Sequence, residues 1–437
     1  MIKRTISNDI KKHLTAKEIT LIVGPRQAGK TTLMLMLKED LHKKGEKTAF
    51  LNLDIEADKQ FFNSQARLMK KIELEIGKGK GYVFIDEIQR KEDAGVFLKG
   101  IYDMNPPYKF VVSGSGSLEL KEKIHESLVG RKRVFELNTL SFDEFVNFKT
   151  GYRYADRLQD FFQIERDRTK GLLEEYLSFG GYPRVVLEDE FKEKNEVIRE
   201  IYQSYLEKDI CYLLGVKKAE SFDNLLRVTA SQVGGLVNFS ELSATLGISI
   251  QTVKNYLWYL EKTFILQRVT PYFKNIRKEI TKSPTFYFYD LGLRNYSLGI
   301  FGNVRRPQDL GFLFQNLVLN ILKDKTHSLP GMINFWRTKD RAEVDFVITV
   351  GELLMPVEVK YRSLKEPEVT RSLRSFISKY EPSMAFVVNL ELEKTIICDK
   401  TEVNFIPFYR LDHYIKGPSQ IRGAYRVNKF YTRTGQG

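Results

Sequence analysis

The chain has 437 residues, of which 42% are hydrophobic and 29% charged; this globular composition suggests roughly two to four domains. Its formal net charge of +13 favours a polyanionic partner, nucleic acid or an anionic membrane surface, although many lysine-rich cytoplasmic proteins are equally basic. We expect a reduced, cytoplasmic protein, because no stretch is apolar enough to span a membrane and no secretory signal begins the chain. The cysteines, Cys211 and Cys398, have neither the spacing of a disulfide pair nor other metal ligands near them in the sequence.

The segment ITLIVGPRQAGKTTLMLMLKEDL predicts a nucleotide-binding domain, which we place at residues 1–150. An apolar run at 19–23 is typical of a parallel strand buried on both faces, and a Leu- and Met-rich helical pattern follows the loop. The loop itself reads Gly-x-x-x-x-Gly-Lys-Thr, the P-loop motif in the strand–loop–helix context that it requires. Lys30 can reach the β- and γ-phosphates of ATP, and the Thr31 hydroxyl can bind Mg²⁺. The predicted cofactor-binding residues are Gly24, Pro25, Arg26, Gln27, Ala28, Gly29, Lys30, Thr31 and Thr32.

Two further apolar runs end in polar residues that suit a catalytic centre. YVFIDEI (82–88) ends in Asp86 and Glu87, the Walker B arrangement. Asp86 would hold Mg²⁺, and Glu87 would polarise the attacking water, which favours hydrolysis over binding alone. KFVVSGSGSL (109–118) carries Ser113 and Ser115 at its tip, either as sensors of the γ-phosphate or as ordinary turn residues.

The segment HESLVGRKRVFELNTLSFDEF contains two candidate arginine fingers. Arg131 follows a glycine at the start of a strand-like run, and Arg133 lies two residues on, on the same strand face. Either could reach a γ-phosphate in its own chain or in a neighbouring subunit, and both could instead be solvated basic residues. An arginine that acts between subunits would require a homo-oligomer, whereas one that acts within the chain would serve a monomer.

This ordered set of motifs resembles the two-part prokaryotic ATPases of the AAA+ or archaeal-ATPase kind. The resemblance is carried by GPRQAGKTTL, FIDEIQR, SGSGSLEL, LVGRKRVFELNTLSFDEF and GGYPRV, and it runs from about residue 15 to about residue 410. In such proteins a P-loop domain precedes a C-terminal half of unknown function. The resemblance therefore implies an α/β fold with an AAA+-like parallel sheet and ATP hydrolysis with Mg²⁺.

Residues 151–235 are predicted to form a charged helical linker, and residues 236–300 a winged helix. The linker is broken by FGGYPRVV, whose Gly-Gly-x-Pro run is a turn to which we assign no chemical role. The stretch that follows has the start and stop signals of a helix-turn-helix: Asn238 or Ser240 caps one helix, Gly247 ends it and Ser249 begins the next.

The predicted second helix has an apolar stripe and an open polar face. Two aromatic strands, LQRVTPYF and TFYFYD, follow it, and their basic connection would form the tip of the wing. Side chains of these types can bond phosphates or base edges. The predicted DNA-binding residues are Gln251, Thr252, Lys254 and Asn255 on the helix and Lys274, Arg277, Lys278 and Lys282 at the wing. Winged helices also dock proteins or cover AAA+ domains without binding DNA, and both alternatives stay open.

Residues 301–415 are predicted to form a last α/β domain. A helix, the strands INFWRTKDRAEVDFVI and ELLMPVEVKYR, a second helix and the strand MAFVVNL resemble the core of the PD-(D/E)xK nucleases. Asp345 and Glu358 would form a carboxylate pair for Mg²⁺, and Lys360, on the same strand face as Glu358, would orient water or contact DNA. Gln315 stands where such nucleases commonly carry Glu, so metal affinity should fall. The alternatives are a cutting nuclease, a nuclease-like fold that only binds, and a strand hairpin with solvated charges.

The tail at 416–437 is basic, with Tyr425, Phe430 and Tyr431 between its cations. It suits single-stranded nucleic acid, through charge and stacking, or solubility alone. The preferred function is an ATP-hydrolysing, DNA-binding machine that remodels branched or single-stranded DNA. A nuclease gated by ATP and a signalling or defence switch that docks a protein partner are the alternatives.

Overall fold

The computed structural model describes residues 2–115, 127–205, 219–273, 275, 277, 279, 282–304, 306–326 and 331–415. In these ranges no helix combines the length and the apolar character needed to cross a bilayer. Some predictions lie outside the described residues: those for Cys211, Lys274, Lys278, the tail at 416–437 and the side chain of Ser115.

Five parallel strands form the first sheet, in the order β2-β3-β4-β1-β5. The strands are β1 (Ile19–Gly24), β2 (Thr48–Asn52), β3 (Gly81–Asp86), β4 (Tyr108–Ser115) and β5 (Lys132–Glu136). Strands β1 and β3 are buried along their whole length, as expected for a parallel sheet covered on both faces. The helices are α1 (Ile6–His13), α2 (Lys30–Lys43), α3 (Glu56–Lys59), α4 (Gln65–Ile76) and α5 (Ala94–Asp103). The predicted α/β class with a parallel P-loop sheet is confirmed.

A helical region follows the first sheet and shares one hydrophobic core with the parts of the chain that come after it. Its helices are α6 (Phe142–Lys149), α7 (Leu158–Ile164), α8 (Arg166–Phe179), α9 (Pro183–Leu187), α10 (Phe191–Ser204) and α11 (Ala219–Ser231). Helix α6 begins with a capping box between Ser141 and Glu144. The ring of Phe142 lies 5.7 Å from that of Phe162 and 5.4 Å from that of Phe408, centroid to centroid. Helix α6 therefore packs against α7 and against Phe408 in the C-terminal part of the chain.

Two short helices and a two-stranded antiparallel sheet form the next unit. They are α12 (Phe239–Leu246), α13 (Ile250–Lys262), β6 (Leu266–Val269) and β7 (Thr285–Phe288), followed by α14 (Leu291–Ser297). The side chain of Asn238 caps α12, Gly247 ends it in the left-handed conformation, and Ser249 caps α13. The side chains of α13 that face the core are Val253, Tyr256, Leu257 and Leu260. The helix-turn-helix boundaries thus lie where the capping residues predict them.

The C-terminal region packs helices against a six-stranded mixed sheet of order β12-β13-β11-β10-β9-β8. Its elements are α15 (Pro307–Thr326), β8 (Gly331–Arg337), β9 (Glu343–Val350), β10 (Leu353–Val359), α16 (Arg371–Tyr380), β11 (Met384–Asn389), β12 (Lys394–Cys398), β13 (Thr401–Pro407) and α17 (Leu411–Tyr414). The segment INFWRTKDRAEVDFVI, expected to be one strand, is two antiparallel strands. The chain reverses between Thr338 and Ala342, where the amide of Thr338 bonds the carbonyl of Ala342 and Arg341 has a φ of 62°.

One aromatic side chain ties the second half of the chain to the first sheet. Phe264 follows α13, is 1% exposed and belongs to the core of the first sheet. Its φ is 62°, a conformation that costs a non-glycine residue about 1–3 kcal/mol. Tyr289, just after β7, packs edge-on against the Phe264 ring at 5.5 Å. The helix-turn-helix unit is therefore anchored to the core of the first sheet.

Candidate nucleotide-binding site

The loop after β1 lies at the carboxyl edge of the first sheet, between β4 and β5. The amide of Leu137 donates to the carbonyl of Val23 at 2.8 Å, which presses the end of β5 against the loop. A Cβ on Gly24 would stand 2.0 Å from the Leu137 carbonyl oxygen, so only glycine fits there. Gln27 has a φ of 57°, unusual for a non-glycine residue and typical of strained binding loops.

The ammonium group of Lys30 lies inside this loop. Its Nζ donates to the carbonyl oxygens of Gly24 (3.1 Å) and Pro25 (2.7 Å), and the residue is 5% exposed. Lys30 is also the first residue of the 14-residue helix α2, so its charge and the positive end of the helix dipole coincide. A cation at a helix N-terminus in a tight glycine loop fits the phosphates of a nucleotide.

A hydrogen-bonded cluster centred on Asp86 joins the loop to β3 and β4. The Thr31 hydroxyl donates to Asp86 Oδ2 at 2.7 Å, and the Ser113 hydroxyl donates to Asp86 Oδ1. Asp86 and Ser113 are fully buried. Residues predicted as metal ligand and sensor thus lie together, and Ser113 orients the carboxylate of Asp86. A hydroxyl and a carboxylate side by side are a donor set that suits Mg²⁺.

Glu87 follows Asp86 in the left-handed conformation, with φ 56° and ψ 43°. Its amide donates to the Ser113 hydroxyl oxygen at 3.3 Å, which holds the residue beside the cluster. Burial raises the pKa of the Glu87 carboxyl, while the nearby Lys30 charge opposes the rise. A carboxylate with a raised pKa accepts a proton more readily than an ordinary surface glutamate.

The predicted arginine fingers lie at the other end of the sheet. Strands β1 and β5 are parallel with Ile19 opposite Lys132, and the amide of Ile19 bonds the carbonyl of Arg131. Arg131 is thus separated from Gly24 by the length of β1, roughly 17 Å at about 3.3 Å per residue. Its guanidinium pairs with Asp103 at 2.8 Å. This geometry excludes a role for Arg131 at the nucleotide site of its own chain, and action on a neighbouring subunit stays a prediction.

Arg133 also lies in the first half of β5. It is opposite Thr20 of β1, and its guanidinium lies over the ring of Phe135 at 5.3 Å. The side chain therefore covers one face of the sheet, and no contact with the loop after β1 supports its predicted role as a finger.

A residue without a predicted chemical role reaches the loop instead. The guanidinium of Arg184, at the start of α9, donates to the side-chain oxygen of Gln27 at 3.0 Å and to Glu200 at 2.9 Å. The sequence of this segment predicts only a turn. The usable signal was an arginine directly after Gly-Gly-x-Pro, since Pro at the first position starts a helix and fixes its direction.

The Gly180–Gly181 turn that places α9 is held from the far half of the chain. One carboxylate oxygen of Asp290 accepts from the Gly181 amide at 2.8 Å, and the other caps α14 by accepting from the Leu293 amide at 3.0 Å. A Cβ on Gly180 would stand 2.3 Å from the Asp290 carboxylate. Burial raises the pKa of Asp290 to about 6, although these backbone donors oppose the rise.

Arg4 supports the loop from outside. Its guanidinium donates to the Ala28 carbonyl at 2.9 Å and to the Asn138 carbonyl at 2.7 Å, and it pairs with Glu144 at 3.0 Å. The Arg4 and Glu144 side chains are 8% and 5% exposed, so this pair is buried. It joins the first residues of the chain, the loop and α6 into one support, which the sequence did not indicate because the partners are far apart.

The carboxylates predicted as a nuclease site are adjacent but occupied by protein donors. Val357 of β10 pairs with Phe346 of β9, so Glu358 and Asp345 are neighbours across the strands. Asp345 accepts from Gln315 Nε2 at 2.8 Å and from the Val359 amide at 2.7 Å. Glu358 pairs with Lys360, which was predicted to orient water or contact DNA, at 2.6 Å and accepts from the Thr370 hydroxyl at 2.7 Å.

Each of these four carboxylate oxygens thus has a donor within the chain. Burial raises the pKa of Asp345 to about 7, and the neighbouring Glu358 charge adds to the rise. Among the described residues no cluster of three or more His, Cys, Asp or Glu could hold a metal ion. The structure thus brings the two predicted carboxylates together, and the cutting and the binding-only alternatives both stay predictions.

The predicted DNA-binding side chains of α13 lie on its open face. Gln251, Lys254 and Asn255 are exposed and Thr252 is half-buried, with a 2.9 Å hydrogen bond between the Gln251 and Asn255 amides. Arg277 and Lys282, from the connection between β6 and β7, are exposed as well.

Three family models match successive parts of the chain. Residues 16–146 match one described as AAA domain, residues 170–303 the Domain of unknown function (DUF8612), and residues 310–411 the Domain of unknown function (DUF4143). The first part of the chain is therefore similar to AAA-type P-loop ATPase domains, in agreement with the parallel sheet.

Similar whole proteins are uncharacterized. One from Mycobacterium tuberculosis is 28% identical over 378 residues, which cover 85% of this chain and 76% of the relative. One from Methanocaldococcus jannaschii is 25% identical over 428 residues, covering 93% and 91%. These matches span all three parts, so the combination of parts recurs in bacteria and archaea.

Solved structures resemble the chain only distantly. The Aeropyrum pernix ORC1 protein in complex with DNA has a TM-score of 0.31 at 11% identity, covering 68% of this chain and 92% of that one. AMPPCP-bound DnaA from Aquifex aeolicus has a TM-score of 0.28 at 13% identity, covering 60% and 90%. No functional argument follows from overlaps of this size, and the class of the first domain rests on its family model and strand order.

Proposed function

We propose that the protein is an AAA+-type ATPase that hydrolyses ATP with Mg²⁺ and binds DNA through the second half of its chain. The observation that carries the proposal is the cluster of Thr31, Asp86 and Ser113 at the carboxyl edge of the first sheet. It joins a phosphate-binding loop to two neighbouring strands, which is the arrangement that nucleotide hydrolysis by P-loop enzymes requires.

The residues divide the chemistry among them. Lys30 would exchange its two loop carbonyls for the β- and γ-phosphates, and Thr31 and Asp86 would hold Mg²⁺. Bound Mg²⁺ would neutralise charge on the transferred phosphoryl group. Glu87 would orient the attacking water and take its proton, which its raised pKa favours. Ser113 would keep the Asp86 carboxylate in place.

DNA binding is proposed for the winged-helix interpretation of α12, α13, β6 and β7. Its support is the exposed face of α13, with Gln251, Lys254 and Asn255, beside the exposed Lys282. Cations of this kind neutralise backbone phosphates, which supplies most non-specific affinity for DNA. The predicted substrates, branched or single-stranded DNA, belong to this proposal.

Two alternatives would produce different behaviour. An ATP-gated nuclease would cut DNA in Mg²⁺, and Asp345 and Glu358 would have to exchange their present donors for the metal. A signalling or defence switch would turn over ATP without regard to DNA and would dock a protein partner.

The test is ATP turnover in Mg²⁺ without DNA and with single-stranded, duplex and branched DNA, with the strands analysed on a gel. We expect turnover to rise severalfold with one DNA form and to vanish in Lys30→Ala. Lys43→Ala is the matched control. Lys43 lies at the other end of the same helix, where its exposed side chain forms an ion pair with Glu39. Turnover indifferent to every DNA form, with intact strands, would contradict the proposal and favour the switch.

A further inference from the structure

A cleft of about 810 Å³ opens between α13 and the strands β6 and β7. Its walls are aromatic and cationic, a combination that the ATPase chemistry does not use. Phe286 forms part of the floor and is 3% exposed, while Phe239 and Trp258 line the sides. The cleft is therefore a candidate binding site separate from the nucleotide loop.

Trp258 is the unusual residue of this cleft. It follows Gln251, Lys254 and Asn255 at helical spacing, so it lies on the same open face of α13. The side chain is 37% exposed, whereas Trp336, the second tryptophan of the chain, is 3% exposed. An indole exposed on a polar face forgoes the stabilisation that burial of its apolar surface in a core would give. The Lys262 ammonium lies over its ring, 5.5 Å from the centroid, and the exposed part of the indole can contact a partner with a π-face of its own.

The charges around Trp258 select a polyanion. Lys254, Arg268 and Lys282 line the cleft and are exposed, and one acid, Glu261, lines it with them. The Glu261 charge also acts on half-buried Lys323 of α15: desolvation lowers the pKa of Lys323 to about 8, and the Glu261 charge opposes that fall. Three cations against one acid leave the cleft positive. Alternating π-surface and cations is the arrangement that binds unpaired nucleotides.

We propose that this cleft binds single-stranded DNA, with one unpaired base stacked on Trp258 and the flanking phosphates on Lys254, Arg268 and Lys282. A duplex offers base edges and keeps its base faces stacked, so the indole selects the single strand. The inference rests on the proposed DNA binding and names the form of DNA and the site that takes it.

Tryptophan fluorescence tests the proposal directly, because Trp336 is buried and gives a constant background. The full-length protein is titrated with oligo(dT), with the matching dA·dT duplex and with inorganic polyphosphate. We expect saturable quenching by oligo(dT) alone, and no quenching by polyphosphate, which offers charge without bases. The signal should disappear in Trp258→Phe, and Trp258→Ala should bind oligo(dT) about five- to 150-fold more weakly, the equivalent of about 1–3 kcal/mol per stacked base.

A second pair of variants tests the contribution of the cleft cations to oligo(dT) binding. Arg268→Gln should weaken oligo(dT) binding and flatten its salt dependence, whereas Lys99→Gln, an equal charge change at an exposed position of α5, should leave both unchanged. Quenching by the duplex as strong as by oligo(dT), or oligo(dT) binding without quenching, would overturn the cleft proposal.

The outcomes separate this inference from the proposed function. Quenching by oligo(dT) with ATP turnover indifferent to DNA would support the cleft and overturn the DNA-driven ATPase. DNA-stimulated turnover with no quenching would do the reverse. Absence of binding to every DNA form would overturn both.

Discussion

The guanidinium of Arg184 donates a 3.0 Å hydrogen bond to the side-chain oxygen of Gln27, across 157 residues of sequence. Gln27 lies within the loop that we propose to bind ATP phosphates, and Arg184 begins a helix outside the first sheet. The same guanidinium bonds Glu200 at 2.9 Å, which holds it at the loop. A permanent cation is thus placed beside the nucleotide site from the helical part of the chain.

We expect Arg184→Ala to weaken ATP binding by about ten- to hundredfold, because a hydrogen bond to a charged group contributes about 1.5–3 kcal/mol. Turnover at saturating ATP and the ATP concentration at half-maximal rate measure the effect separately. Arg184→Lys should recover part of the loss, since it keeps the charge and loses the fork. Glu200→Gln is the control that removes the distal partner and retains the cation. An unchanged ATP dependence in Arg184→Ala would contradict this role.

Gly180→Ala should lower the free energy of unfolding by about 1–3 kcal/mol or more. Gly180 has a φ of 75°, and a Cβ there would stand 2.3 Å from Asp290 Oδ1 and 2.4 Å from the Gly292 amide nitrogen. Urea unfolding followed by circular dichroism measures the change. Gly171→Ala is the matched control, because it lies in α8 with no atom within 4 Å of an added Cβ, and it should stabilise by about 0.5–1 kcal/mol. Equal effects of both substitutions would contradict the packing argument.

Arg131→Ala should leave ATP turnover per subunit unchanged in dilute protein, because the residue lies at the far end of β1 from its own loop. Turnover measured over a range of protein concentrations checks this. A loss confined to concentrated protein would identify action on a neighbouring subunit. Asp103→Asn, which removes the ion-pair partner of Arg131, is the control. A proportional loss at the lowest concentrations would contradict the placement.

Asp345→Asn should alter the pH dependence of stability in a defined window. The folded-state pKa of Asp345 is about 7, above the unfolded value of about 3.9, so its protonation favours the native state. That contribution is complete below about pH 4 and is lost as pH rises towards 7. Relative to wild type, the asparagine variant should therefore gain stability between about pH 4 and about pH 7. Thermal unfolding of both proteins across this range measures the difference, and a constant difference would contradict it.

Gln315→Glu should create a response to divalent metal that wild type lacks at this position. Gln315 donates to Asp345 at 2.8 Å, so a glutamate there would place a third carboxylate beside Asp345 and Glu358. We expect the variant to be less stable without metal, through like-charge repulsion, and to recover with Mn²⁺. Thermal unfolding with and without Mn²⁺ is the measurement, and Gln315→Met is the uncharged control. An equal Mn²⁺ response of variant and wild type would contradict the interpretation.

Short-range patterns in the sequence determined much of this molecule. The strand, loop and helix around Lys30 were predicted because a glycine loop between a buried strand and a helix is a local arrangement. Asn238, Gly247 and Ser249 marked helix ends for the same reason, since a cap bonds residues two to four positions away. Local signals failed at residues 338–342, where the chain reverses without Gly or Pro to mark the turn.

Tertiary structure decided which of the chemically capable side chains meet. The register of β5 on β1 moved Arg131 away from the loop, and register is a property of two strands together. Arg184 reaches Gln27 from a helix that follows the Gly180–Gly181 turn, and Asp290, 109 residues beyond Gly181, holds that turn. Gln315, on a helix, donates a hydrogen bond to Asp345, on a strand. Contacts between residues so far apart in sequence depend on how whole elements pack, and local sequence periodicity does not predict them.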